Sequence, residues 1–227
     1  MTKRAVWGLL AYVCLFLFFG NLEAATRDED RILTVAQKME TAFAGVADYT
    51  CEVEQIFYQD GTENQRYRFK FYFKREKKIR VDFSYPHSGL TILYKENDKE
   101  ATVIPSRSLP IVKFRISVDN PLLRTLAGQK INQTDIGYFI NFIFNNLDKV
   151  SQKGNIFFED ERRIEFVFWA LDYIEEKSLE KYRVSVSKTE WLPTRIERYG
   201  SEDKLLEVSE IKDYHTNAHL EDKLFQP

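Results

Sequence analysis

Along residues 66–83, RYRFKFYFKREKKIRVDF, apolar and polar positions alternate with a period of two. Tyr67, Phe69, Phe71 and Phe73 fall on one face of an extended chain, and Arg66, Arg68 and Lys70 on the other. Glu76-Lys77-Lys78 turns the chain back, and Ile79, Val81 and Phe83 then alternate with Arg80 and Asp82. The same period extends both ways. Tyr49, Cys51, Val53 and Gln55 share one face of an earlier strand, with Ile56 and Tyr58 on the other, and Asp60-Gly61 ends it as a turn. A turn over 86–89 leads to Leu90, Ile92 and Tyr94, and segments 101–105 and 111–118 extend the series. Further strands are expected at 155–158, 164–169, 182–187, 193–199 and 205–214. Short consecutive strands joined by tight turns predict an antiparallel meander.

Three segments leave this pattern. Residues 27–47 place Ile32, Val35, Ala36, Met39, Phe43 and Val46 at helical spacing on one face. Asp119-Asn120-Pro121 suits a helix start and Gly128 its end. Thr134-Asp135 suits the cap of a further helix, IGYFINFIFNNL. There Ile136, Phe139, Ile140, Phe142, Ile143 and Phe144 cover most of the circumference, so that helix needs cover on more than one side. The expected fold is mainly β (α+β). It is a single domain over residues 25–227, with one antiparallel sheet of about 10–11 strands and helices over its concave face. A sheet that large curls, because strands twist.

The start of the chain changes the picture. Lys3 and Arg4 precede an apolar run over 5–19, Gly20 breaks it, and Ala24 and Ala25 offer small residues for cleavage. Residues 1–24 read as a secretory signal peptide, the run being short for a membrane span. Cleavage would leave Cys51 as the one cysteine, so no internal disulfide is expected. A formal net charge of −2 argues against a polycationic nucleic-acid binder. The 18 Phe and 12 Tyr give the sheet an unusually large aromatic face to bury.

Candidate chemistry is sparse. His215 and His219 stand four apart, but Thr216-Asn217-Ala218 between them lacks the glutamate of a zinc-protease motif. No Gly-rich phosphate loop or Gly-x-Ser-x-Gly elbow occurs, and Cys51 has no histidine partner in sequence. No catalytic residue, metal or cofactor is therefore expected. The basic row reads either as a solvated outer face or as a surface for an anionic partner. Periodicity leaves open whether the aromatic face is a filled core or the wall of a cavity.

The stretch FKFYFKREKKIRVDFSYPHSGLTILY resembles the segment shared by the LolA-like proteins, periplasmic carriers of lipoproteins and lipids and their relatives. The resemblance lies in Lys77-Lys78-Ile79-Arg80, Phe83-Ser84-Tyr85-Pro86, the apolar strand from Leu90 to Tyr94, and Val103-Ile104-Pro105. Leu192-Pro193-Thr194 with the strand after it resembles the later part of that fold. Residues 128–147 are similar to the helical insertion of sorting-protein-like relatives. After Pro86 the chain runs His87-Ser88-Gly89 and departs from the family pattern.

The resemblance implies an unclosed β-barrel with an acyl-binding cavity under its helices. Tyr67, Phe69, Phe71, Phe73, Ile79, Val81, Phe83, Leu90, Ile92 and Tyr94 are then the expected lining, and Phe139, Phe142, Ile143 and Phe144 the helical cover. Lys74, Arg75, Lys77 and Lys78 would meet headgroups at the rim. The function implied is that of a monomeric periplasmic carrier or chaperone for the acyl chains of lipoproteins or lipids. It would receive them from an inner-membrane donor and pass them to an outer-membrane acceptor, with no nucleic acid involved. Two alternatives stay open: an envelope lipid or lipoprotein sensor acting on a membrane partner, and an enzyme for a hydrophobic substrate.

Overall fold

Eleven strands form one antiparallel sheet in the order β6-β5-β4-β3-β2-β1-β11-β10-β9-β8-β7 in a computed structural model of the chain. It describes residues 29–106, 112–126, 128–147, 157–171 and 178–227. The signal peptide expected over 1–24 lies outside the described residues, as do Arg27, Ile111 and Asn155 at the starts of expected elements. The strands are β1 (Asp48–Gln59), β2 (Thr62–Lys74), β3 (Lys78–Tyr85), β4 (Thr91–Tyr94), β5 (Glu100–Ile104) and β6 (Phe114–Ser117), then β7 (Phe157–Glu159), β8 (Arg163–Leu171), β9 (Leu179–Ser187), β10 (Pro193–Tyr199) and β11 (Leu205–Thr216). Helix α1 spans residues 29–44, and α2 is Ile136–Phe144.

Every sheet neighbour but one is also a chain neighbour; the exception is β1 with β11. The outer strands β6 and β7 are not paired with each other, so the sheet stays open. They are also the strands between which the helical segment runs. A chain leaving β6 for β7 must travel from one sheet edge to the other, and this crossing carries α2.

Register fixes which side chains meet. Cys51 lies opposite Phe71, Phe71 opposite Val81, Val81 opposite Ile92 and Ile92 opposite Val103, one row across five strands on the concave side. Against this face α1 buries Ile32, Ala36 and Met39, none with measurable exposure. Tyr49 stacks on Phe73 at 5.2 Å and on Phe71 at 5.9 Å, and Phe43 of α1 meets Phe73 at 5.8 Å. Arg75 holds the C-terminal end of α1, with Nε donating to the Val46 carbonyl at 2.8 Å and its guanidinium over the Phe43 ring. Carbonyls at a helix end have no intrahelical donor, so such a cation stabilises the end.

The convex face explains the basic row. Arg66 pairs with Glu54 and Glu63, Arg68 with Glu54 at 2.9 Å, and Arg80 with Asp82 at 3.0 Å. Lys74 and Lys78 both reach Asp222 in the C-terminal tail, and Arg80 donates to the Leu224 carbonyl at 2.9 Å. Phe225 of that tail is buried against the outside of the sheet. Arg66, Arg68, Lys74, Lys78 and Arg80 therefore face the chain's own carboxylates and carbonyls. Lys74, Arg75, Lys77 and Lys78, expected to meet headgroups, are all engaged within the protein.

The helix expected over 120–128 is a single 3-10 turn, Pro121–Leu123. Asn120 caps it by accepting from the Leu122 amide, but Arg124 is already extended, at φ −94° and ψ 146°. Asp135 caps α2 as expected, accepting from the Tyr138 amide at 3.0 Å. Gly137, in the first turn of α2, lies where a Cβ would stand 2.7 Å from Cε1 of Phe43. That close approach lets α2 rest on α1. Gly137→Ala would gain about 1 kcal/mol of helix propensity and lose about 1–3 kcal/mol to overpacking. A lower melting temperature is the expected result in a thermal scan; an unchanged or higher one would mean that Phe43 gives way freely.

Candidate functional site

The concave face is not filled. A cavity of ≈ 340 Å³ remains between the sheet and its cover. On the sheet side it is lined by Cys51 and Val53 of β1, by Tyr67, Phe69 and Phe71 of β2, by Val81 and Phe83 of β3, and by Leu90 and Ile92. On the cover side stand Leu123, Ile131, Ile136 and Phe139. The rim includes His87, Leu122 and Leu126, and Leu122 is 82% exposed. An exposed leucine beside an apolar opening marks where water meets the cavity.

Eight of the fourteen residues expected at the site line this space: Tyr67, Phe69, Phe71, Val81, Phe83, Leu90, Ile92 and Phe139. The other six do not. Phe73, Ile79 and Tyr94 share the concave face but belong to the solid core, where α1 covers that end of the sheet. Ile143 is fully buried, and Phe144 packs partly buried against the same core. Phe142 turns from the cavity into an aromatic group, its ring edge-on to Phe168 at 5.9 Å and to Tyr182 at 5.3 Å.

Two walls escaped the sequence reading. The loop 119–135 supplies Leu122, Leu123 and Leu126, taken above for helix residues. The strands β9 to β11 supply a polar wall. Register places Tyr182 opposite Arg198, Arg198 opposite Glu207, and Gln55 opposite Ser209. Arg198 donates from Nη1 to Glu180 at 2.8 Å and from Nε to Glu207 at 3.2 Å. Gln55 Nε2 donates to Glu207 at 2.7 Å, Ser209 Oγ to the same oxygen at 3.2 Å, and Tyr182 Oη to Glu180 at 3.2 Å. These charged side chains are nearly buried: Arg198 is 12% exposed, Glu180 8% and Glu207 10%. Burial disfavours the Arg198 cation, and the two carboxylates more than offset this, holding the guanidinium above its usual range.

The cover is held at its edge. Lys77, in the turn between β2 and β3, pairs with the buried Asp135 at 3.3 Å, and the Ile136 amide donates to Tyr49 Oη at 3.3 Å. Both contacts join the sheet to the first turn of α2.

Reactive groups are few. Burial pushes the Cys51 thiol up to about 12, so it is protonated and a poor nucleophile at neutral pH. Cys51 should resist a disulfide reagent in the native protein and react promptly in denaturant, followed as thiol absorbance. Fast native labelling would mean that the cavity admits the reagent as far as Cys51. Among the described residues no group of three or more His, Cys, Asp or Glu is placed to hold a metal ion.

No family model matches the chain, and no curated protein does. Solved structures do. A putative outer membrane lipoprotein-sorting protein domain from Vibrio parahaemolyticus is 15% identical over 87% of this chain and 97% of its own, with a TM-score of 0.43. A LolA superfamily protein from Nitrosomonas europaea is 16% identical over 86% and 97%, with a TM-score of 0.40. The Mycobacterium tuberculosis lipoprotein LppX is 8% identical over 85% and 98%, with a TM-score of 0.49. Likeness at these levels assigns neither a family nor a role. The chain's own architecture is an eleven-stranded antiparallel sheet left open, with helices across its concave side.

Proposed function

We propose that this protein is an exported, periplasmic carrier that takes up the acyl chain of a lipid or lipoprotein between its sheet and its helical cover. One observation carries the reading: the apolar cavity of ≈ 340 Å³ under the cover, open past an exposed Leu122. Its volume falls in the range of about 300–1,000 Å³ usual for ligand pockets. Phe69, Phe71, Val81, Phe83 and Ile92 offer no chemistry, only apolar contact. Each methylene moved there from water would contribute about 0.8 kcal/mol. The carrier needs no catalytic group: uptake and release exchange one apolar packing for another, and the cover shifts between two states of similar free energy. Transfer from a donor to an acceptor protein is the finer part of the proposal.

A plug tests it. Val53 lines the cavity and is only half-buried, so Val53→Phe would extend into empty space rather than into packed atoms. The variant should fold with an unchanged or raised melting temperature. It should bind a neutral apolar dye such as N-phenylnaphthylamine at least about tenfold more weakly than the native chain, a loss of about 1.4 kcal/mol. Equal dye binding by a well-folded plug variant would remove the cavity from the proposal.

A further inference from the structure

The cavity has two unlike sides. Toward β1–β4 it is Cys51, Val53, Phe69, Phe71, Val81 and Ile92; toward β9–β11 the apolar Ile196 and Ile211 are interrupted by a polar patch of Tyr182, Arg198, Glu207 and Ser209, with Gln55 beside them. A guest that is all hydrocarbon matches the first side and leaves the polar patch of the second facing grease. Polar groups kept that close to an apolar space carry a desolvation cost that a plain chain does nothing to offset.

The balance of charge says more. One guanidinium stands against two carboxylates, and Arg198 already donates to both Glu180 and Glu207. The wall therefore carries one negative charge in excess. Its carboxylate on the cavity surface is Glu207, since Glu180 lies behind Arg198 and does not line the space. Screening is weak in a cavity, so this excess disfavours a phosphate or carboxylate head and favours a cation that can donate hydrogen bonds. Arg124 lines the cover side and is the competing cation there; a preference for anionic heads would point to it instead.

We propose that the cavity takes amphiphiles head-inward, with the acyl chain along the β1–β4 side and an ammonium head against Glu207. The inference rests on the acyl-binding reading and adds the chemistry of the head. Displacement of N-phenylnaphthylamine from the native chain at pH 7 by dodecylamine, dodecanol and laurate tests both. Dodecylamine is expected to displace the dye at about tenfold lower concentration than laurate. Glu207→Gln should bring the two within about threefold of each other, while Glu96→Gln, on an exposed turn, should leave the preference intact. That control separates a local effect from the attraction of a negatively charged protein for any cation. Equal displacement by all three, or laurate first, would overturn the head-inward assignment and leave acyl binding standing. Failure of all three to displace the dye would overturn acyl binding as well. The native chain alone decides the order of the three heads, so the result does not depend on the variants folding.

Discussion

Arg198→Ala is expected to cost about 3–5 kcal/mol of folding stability, because it leaves Glu180 and Glu207 buried without a cation. Domains of this size are stable by about 5–15 kcal/mol, so the variant should be near the limit of folding at physiological temperature. Urea unfolding gives the difference directly. Replacing Arg198, Glu180 and Glu207 together by Met and Leu should be far milder, neutral or stabilising by up to about 4 kcal/mol. That contrast would mean that the network is not kept for stability, as expected of a wall that meets a ligand. A cost under about 1 kcal/mol for Arg198→Ala would show that water reaches the carboxylates freely.

Phe168→Ala should cost about as much, about 3–5 kcal/mol, by the different route of an emptied core site. Phe168 has no measurable exposure; it stacks on Tyr182 at 5.2 Å and receives the edge of Phe142 at 5.9 Å. Phe142 is how α2 grips the far half of the sheet. The loss should therefore appear locally too, as faster amide hydrogen exchange in α2 than in β1 and β2. Leu122→Ala, at a residue 82% exposed, should change stability by less than about 0.5 kcal/mol. If Phe168→Ala is equally mild, the aromatic group does not hold the cover.

The sheet was legible because its signal is strong and local. The alternation of Tyr67, Phe69, Phe71 and Phe73 against Arg66, Arg68 and Lys70 fixes which face turns inward, and β2 has that orientation. Alternation says nothing of depth. Phe71 and Phe73 share a face and a strand, yet Phe71 borders the cavity and Phe73 lies under α1. The difference is set by where a helix distant in sequence lands. The polar wall was hidden for a related reason, since charges in strands read as solvated. One signal was there to be used. In β10, Arg195 and Glu197 lie on one face and Arg198 on the other, so the strand carries charge on both faces. A strand of a one-sided sheet has one solvated face, so one of those charges had to be buried. The missing helix at Pro121 had competing signals: a favourable start, but too few residues before Gly128, at φ 84°, for many i→i+4 bonds to form.

The cover follows from topology as much as from sequence. Strands β6 and β7 end the sheet on opposite sides, and the chain between them has to cross the open face. The near end of α2 is tied to the sheet by Lys77 with Asp135 and Tyr49 with the Ile136 amide, and rests on Phe43 of α1 at Gly137.

Native mass spectrometry of the protein purified gently from the cell envelope tests the cavity's occupancy most directly. A bound mass of lipid size is expected on the native chain, and it should be absent from the folded Val53→Phe variant. A native chain that is always free of added mass, and binds no acyl compound when one is offered, would contradict the reading of this fold as an acyl carrier.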